Sequence, residues 1–67
     1  MPVAKVIELV GTSSQGWEEA AQSAVVEAAK TVRNVRGVEV TGVTGVVEGD
    51  KIVEYRATVK VAFGVER

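Results

Sequence analysis

The last stretch of the chain limits the possible folds most. From Val53 apolar residues take every second position, namely Val53, Tyr55, Ala57, Val59, Val61, Phe63 and Val65, while Ile52, Glu54, Arg56, Thr58, Lys60 and Glu66 fall on the other side. A period of two puts each set on its own face of a strand. The apolar face is predicted to be buried, and the polar face is left for solvent, a lumen or a contact between copies. A helix supplies the cover. Trp17, Ala21, Ala24, Val25, Ala28 and Val32 recur at spacings of three and four and share one face. Its small side chains predict close packing against a sheet. Gly16 is the expected N-cap, with Glu19 at the third helical position. Glu18 and Glu19 suit the positive start of the helix dipole, and Lys30 and Arg33 are placed in the last turn, where the dipole favours positive charge.

Two more strands complete the reading. Val3 to Val10 is rich in Val, Ile and Leu and ends at the turn cluster Gly11 to Gly16. Asn34 to Gly37 reads as the loop leaving the helix. Val38 to Val47 reads as a second strand whose internal Gly42 and Gly45 predict bulges or curvature. Glu48-Gly49-Asp50-Lys51 reads as a hairpin turn. The order strand-helix-strand-strand predicts an α+β fold: a three-stranded antiparallel sheet curled around one helix, in a single domain over 1–67.

Size then decides how such a fold is stabilised. A 67-residue chain hides only about 60% of the surface its unfolded form exposes, and its own core rarely supplies more than about 3–5 kcal/mol. With no Cys and no His, neither disulfides nor a zinc site of the usual kind can make up the difference. The chain is 46% hydrophobic and has exposed strand edges, so self-association is predicted. A net charge of −1 argues against a dedicated nucleic-acid binder. No apolar run approaches the about 20 residues of a membrane span, and the N-terminus lacks the pattern of a signal peptide. The expectation is a cytoplasmic protein with neither nucleic-acid nor membrane partners.

Catalysis finds little support. The commonest bases and nucleophiles are absent. Ser13 and Ser14 have nothing nearby to activate them and read as turn residues. Glu18 and Glu19 are adjacent, so they point apart on a helix. Gly42 and Gly45 precede no helix and no phosphate-binding Lys. Lys30, Arg33 and Arg36 step by three and offer a phosphate stripe or, more simply, solvated surface. Trp17 reads as a packing residue, with a stacking platform as the alternative.

The opening Lys5-Val6-Ile7-Glu8-Leu9-Val10-Gly11-Thr12-Ser13, the helix start Trp17-Glu18-Glu19-Ala20-Ala21, then Lys30-Thr31, Arg33, Glu39-Val40, Glu54-Tyr55 and Val59-Lys60-Val61-Ala62-Phe63 together resemble the dodecin family. The likeness spans nearly the whole chain. It implies a hollow twelve-subunit shell of cubic symmetry, a homododecamer with ligand pockets at subunit contacts. In that family a Trp after the helix stacks on a flavin and a Gln in the last strand bonds the ring edge. Gly37 and Arg56 stand at those two positions. Burying a Trp covers about 150–250 Å², worth roughly 4–6 kcal/mol as an upper bound. Losing half of that weakens binding on the order of a hundredfold. Arg only donates hydrogen bonds, where Gln also accepts, so Arg56 suits a carboxylate, a phosphate or a Glu across a subunit contact. The resemblance therefore implies a non-enzymatic shell that sequesters a small ligand in a pocket lined by Gly37, Val38 and Arg56, without tight flavin binding. Two alternatives stand beside it. One is an assembly that binds calcium-type divalent cations through Glu8, Glu39, Glu48, Asp50 and Glu54 repeated by symmetry. The other is a store that keeps weak riboflavin or FMN binding through Trp17 or pocket shape.

Overall fold

The computed structural model describes residues 3–65; the side chain of Val65 and all of Glu66 lie outside the description. Strand β1 (Val3–Ser13), helix α1 (Trp17–Ala29), strand β2 (Val35–Glu48) and strand β3 (Lys51–Val65) follow in that order. The sheet is antiparallel throughout, in the order β1-β3-β2. The strand whose alternation is clearest in the sequence is thus the central one, paired with β1 from Tyr55 to Val65 and with β2 from Lys51 to Phe63.

The helix lies across β1 and β3. Ala20, Ala24 and Ala28 meet Ala57, Val59 and Val61, and these six form the buried core. Ile7, Leu9, Ala21 and Val35 pack at its margin. The expected helix face is rotated, with Ala20 at its centre while Trp17 sits at the rim and Ala21 and Val25 are half-buried. The cause is Gly11. A Cβ there would lie 1.9 Å from the carbonyl oxygen of Ala20, so the bare glycine lets this turn of the helix settle onto β1. The hydroxyl of Ser23 donates to the Ala20 carbonyl at 2.8 Å, with the Thr12 carbonyl of β1 also within reach at 3.3 Å.

Both ends of α1 follow local chemistry. The Gly16 carbonyl accepts the first helical bond, from the Ala20 N–H at 3.0 Å, and Glu18 and Glu19 occupy the first turn. The helix stops at Ala29, earlier than expected. Lys30 is its C-cap, Arg33 lies beyond it, and the last turn carries no basic residue. Thr31 and Val32 are β-branched, a poor continuation, and the N–H groups of both donate to the Ala28 carbonyl at 3.0 Å. Asn34 then takes a φ of 62°, a left-handed conformation that Asn tolerates, and its carbonyl accepts the Gly64 N–H at 3.0 Å.

The strands outrun their predicted limits because β3 recruits their ends. Gly11, Thr12 and Ser13 pair with Ala57, Arg56 and Tyr55. Val35 pairs with Phe63 and Gly37 with Ala62, so Gly37 stands in a strand and not in a loop. The expected turn at Glu48 to Lys51 is present, with Gly49 at φ 66°. Arg36, Thr41 and Val53 are extra residues at register shifts. The predicted irregularity near Gly42 is the Thr41 bulge; Gly45 pairs regularly with Tyr55. The Val53 bulge also moves Ile52 from its expected polar side, because its Cγ2 would touch a Cβ built at Gly45 on the helix side at 3.2 Å.

Candidate functional site

The sheet has a covered face and an open one. Directly paired residues in an antiparallel sheet share a face. On the open face stand Val6, Glu8, Val10 and Thr12 of β1, Arg56, Thr58, Lys60 and Ala62 of β3, and Gly37, Glu39 and Thr44 of β2. Gly37 and Arg56 therefore share this face. They are not neighbours within one chain. Gly37 lies opposite Ala62, six residues from Arg56 along β3, a separation of about 20 Å at strand rise. Val38 pairs with Val61 of the core, so it stands on the other face. One chain does not bring Gly37, Val38 and Arg56 into a single pocket.

Arg56 has its own partner. Its Nε donates to Oε2 of Glu54 at 2.6 Å, and the two side chains remain 50% and 40% exposed. Such exposed pairs contribute about 1 kcal/mol at most, so a better oxyanion or a second copy could displace Glu54. The expected partner was a Glu across a subunit contact; the observed one is two residues away on the same strand face, a spacing visible in the sequence. Thr12 and Thr44 flank Arg56 in register. A Cβ at Gly37 would meet nothing within 4 Å, so the space a larger side chain would fill is open.

Trp17 belongs to the covered face. Its Nε1 donates to the Thr44 carbonyl at 2.8 Å, and its ring meets Tyr55 edge-on at 4.8 Å and 85°. The ring lies over Gly45, where a Cβ would stand in ordinary contact with its Cζ2 at 3.8 Å. These contacts make Trp17 a packing residue near the hairpin end.

The acidic residues do not gather. Among the described residues no three Asp or Glu side chains form a group able to hold a metal ion. Glu8 and Glu39 flank Lys60 in one row, while Glu48 and Asp50 belong to the hairpin end. The basic stripe is dispersed as well. Lys30 pairs with Glu27 at 3.4 Å, Arg33 lies in the connection after the helix, and Arg36 belongs to β2. Among the described residues no helix is long and apolar enough to cross a membrane.

The helix side of β2 is uncovered. Val38, Val40 and Val43 pair with the core residues Val61, Val59 and Ala57, yet remain 47%, 48% and 50% exposed. The helix stops short of them, and an apolar stripe is left open.

Comparison with known proteins bears on these features. The family model for dodecin matches residues 3–66. A dodecin from Thermus thermophilus is 39% identical over 64 residues, covering 96% of this chain and 93% of that protein. A calcium dodecin from Mycobacterium tuberculosis is 36% identical over 63 residues, covering 94% and 89%. A solved structure of dodecin from Streptomyces coelicolor superposes with a TM-score of 0.92 at 33% identity, covering 98% of this chain and 94% of that one.

Proposed function

The chain belongs to the dodecin family, and on that premise we propose that it acts as a cytoplasmic, non-enzymatic homododecamer that sequesters a small ligand between its copies. The observation that carries the reading is surface left over. The chain exposes 4934 Å², against about 4,100 Å² for a compact monomer of its mass. The excess, about 800 Å², is on the order of one partner's share of a standard interface. The radius of gyration agrees, at 13.7 Å against about 11 Å for a compact domain of this length. The uncovered valine stripe of β2 is the apolar surface such packing would bury.

The ligand pocket follows from the separation of Gly37 and Arg56. In this reading a contact between copies brings Gly37 of one beside Arg56 of another, because the two share the open face about 20 Å apart. With no aromatic ring at 37 and a donor-only group at 56, the pocket favours an anionic ligand over a neutral flavin. Trp17 stands on the opposite face, which disfavours a flavin held by that ring.

Native mass spectrometry on gently purified protein tests the reading. A twelve-fold mass is expected, and a monomer or dimer overturns it. Gly37→Trp with Arg56→Gln tests the pocket: flavin affinity should rise on the order of a hundredfold, and no gain would show that these positions do not line it. A cation-binding reading is favoured by one observation, the 36% identity to a calcium dodecin. The acidic residues here are dispersed, so several copies would have to share a cation. Metal-sized mass increments that a chelator removes would establish it.

A further inference from the structure

The hairpin outruns the rest of the sheet. Strand β1 pairs with β3 only as far as Ser13 and Tyr55, so the rows Val46–Glu54, Val47–Ile52 and Glu48–Lys51 have two strands and no third. The helix gives this arm no cover. It begins at Trp17, whose ring is tied to Thr44 before the arm starts. Val47 and Ile52 therefore stand exposed on the helix side of a two-stranded ribbon. Such a ribbon is marginal unless something packs on it.

Charge decides what can. Arg56 and Glu54 cancel as a pair. That leaves Glu18 and Glu19 at the helix start and Glu48 and Asp50 at the tip against Lys51, a net −3 around the arm. The opposite end is the reverse. Lys30 and Glu27 cancel as a pair, which leaves Lys5, Arg33 and Arg36, a net +3. Lys5 and Val35 share the row of Phe63, and Arg33 and Arg36 lie on either side of Val35 in the chain, so the three cations gather where the helix exits. None of them makes an ion pair among the described residues. The helix dipole runs the other way, but at about half a charge per end it does not cancel three. The molecule is 52 Å long and 19 by 13 Å across, acidic at one end and basic at the other.

We propose that the acidic hairpin arm of one copy docks on the basic end of the next, where Arg33, Arg36 and Lys5 meet Glu48 and Asp50, and Val47 and Ile52 become covered. Two arms facing each other would set like charges together, which disfavours a two-fold contact through the arms. The contact is therefore head to tail, and contacts of that kind close into rings or run on as filaments. The inference rests on the assembly proposed above and adds which surfaces meet in it. It also joins the end that carries Gly37 to the half that carries Arg56, as the pocket between copies requires.

Charge reversal tests it, with sedimentation at one fixed protomer concentration as the readout. Glu48→Lys with Asp50→Lys sets a positive arm against the basic end. Arg33→Glu with Arg36→Glu sets a negative end against the acidic arm. Either pair should weaken association at least about tenfold. All four changes together exchange the signs and should restore it, and that recovery excludes misfolding as the cause of the losses. Sodium chloride gives an independent readout. The screening length falls from about 10 Å at 0.1 M to about 3 Å at 1 M, so salt should loosen the parent and tighten both half-reversed variants. Half-reversed variants that associate as the parent does, or a four-change variant that does not recover, overturn the contact. Native mass of the parent separates this inference from the shell. A twelve-fold parent indifferent to both reversals keeps the shell and removes the contact. Smaller rings or filaments that both reversals break up keep the contact and remove the shell.

Discussion

Two glycines predict opposite outcomes for the same substitution. At Gly11 a Cβ would lie 1.9 Å from a backbone oxygen of the helix, and backbone cannot swing aside as a side-chain tip can. Gly11→Ala has to lift α1 from β1, and we expect a loss of about 2–3 kcal/mol, the upper part of the overpacking range. At Gly42 nothing lies within 4 Å and φ is not positive, so Gly42→Ala mainly removes freedom from the unfolded chain and should gain up to about 1 kcal/mol. Urea unfolding at one fixed protomer concentration reads both, since stability of an oligomer depends on concentration. A Gly11→Ala variant as stable as the parent would refute the close contact. Trp17→Phe keeps an aromatic ring but loses the pyrrole N–H that bonds the Thr44 carbonyl at the rim, and a loss of about 1 kcal/mol is expected by the same measurement.

Among the elements, the β2–β3 hairpin depends on its turn. Gly49, at the first central position of that turn, has a φ of 66°, a positive value that Gly adopts without steric cost. Gly49→Ala should cost about 1–2 kcal/mol, and Gly49→Asn should cost less, because Asn tolerates left-handed backbone. Equal losses in the two would show that the turn does not need that conformation. What the sequence disclosed about these elements depended on how local each signal was. The alternation of β3 is local, and Ala57, Val59 and Val61 are buried as predicted. The start of β2 at Val35 and the end of β1 at Ser13 were not legible, because only pairing with distant residues of β3 makes them strand. The rotation of α1 toward Ala20 required knowing that Gly11 lies beneath it. Bulges hid the candidate site in the same way. Thr41 resets the alternation of β2 and Val53 that of β3, so no count along the chain from Gly37 could show that it shares a face with Arg56. The residue types at 37 and 56 were readable, but their arrangement was not.

For the whole molecule, the decisive quantity is how little one chain buries. The core holds three alanines of the helix, Ala57, Val59 and Val61, and the two valines are its largest fully buried side chains. Against that stand Val38, Val40 and Val43, half exposed on the same side of the sheet. A charge on this stripe separates what holds the chain folded from what holds copies together. Within one chain Val43 is 50% exposed, so Val43→Asp should cost the isolated fold only about 1 kcal/mol of strand preference. In an assembly that buries the stripe, the same carboxylate would lose its water without gaining a partner, at several kcal/mol for each copy. Sedimentation and native mass of Val43→Asp should therefore show dissociation, while Val43→Thr, a smaller change on a β-branched frame, should stay assembled. Circular dichroism of the dissociated variant then distinguishes two kinds of chain. Retained strand and helix signal would mean that the sheet and helix fold before they assemble. Loss of both would mean that the neighbouring copies complete the core. An intact Val43→Asp dodecamer would show that the stripe faces solvent or lumen and that the shell is built on other surfaces.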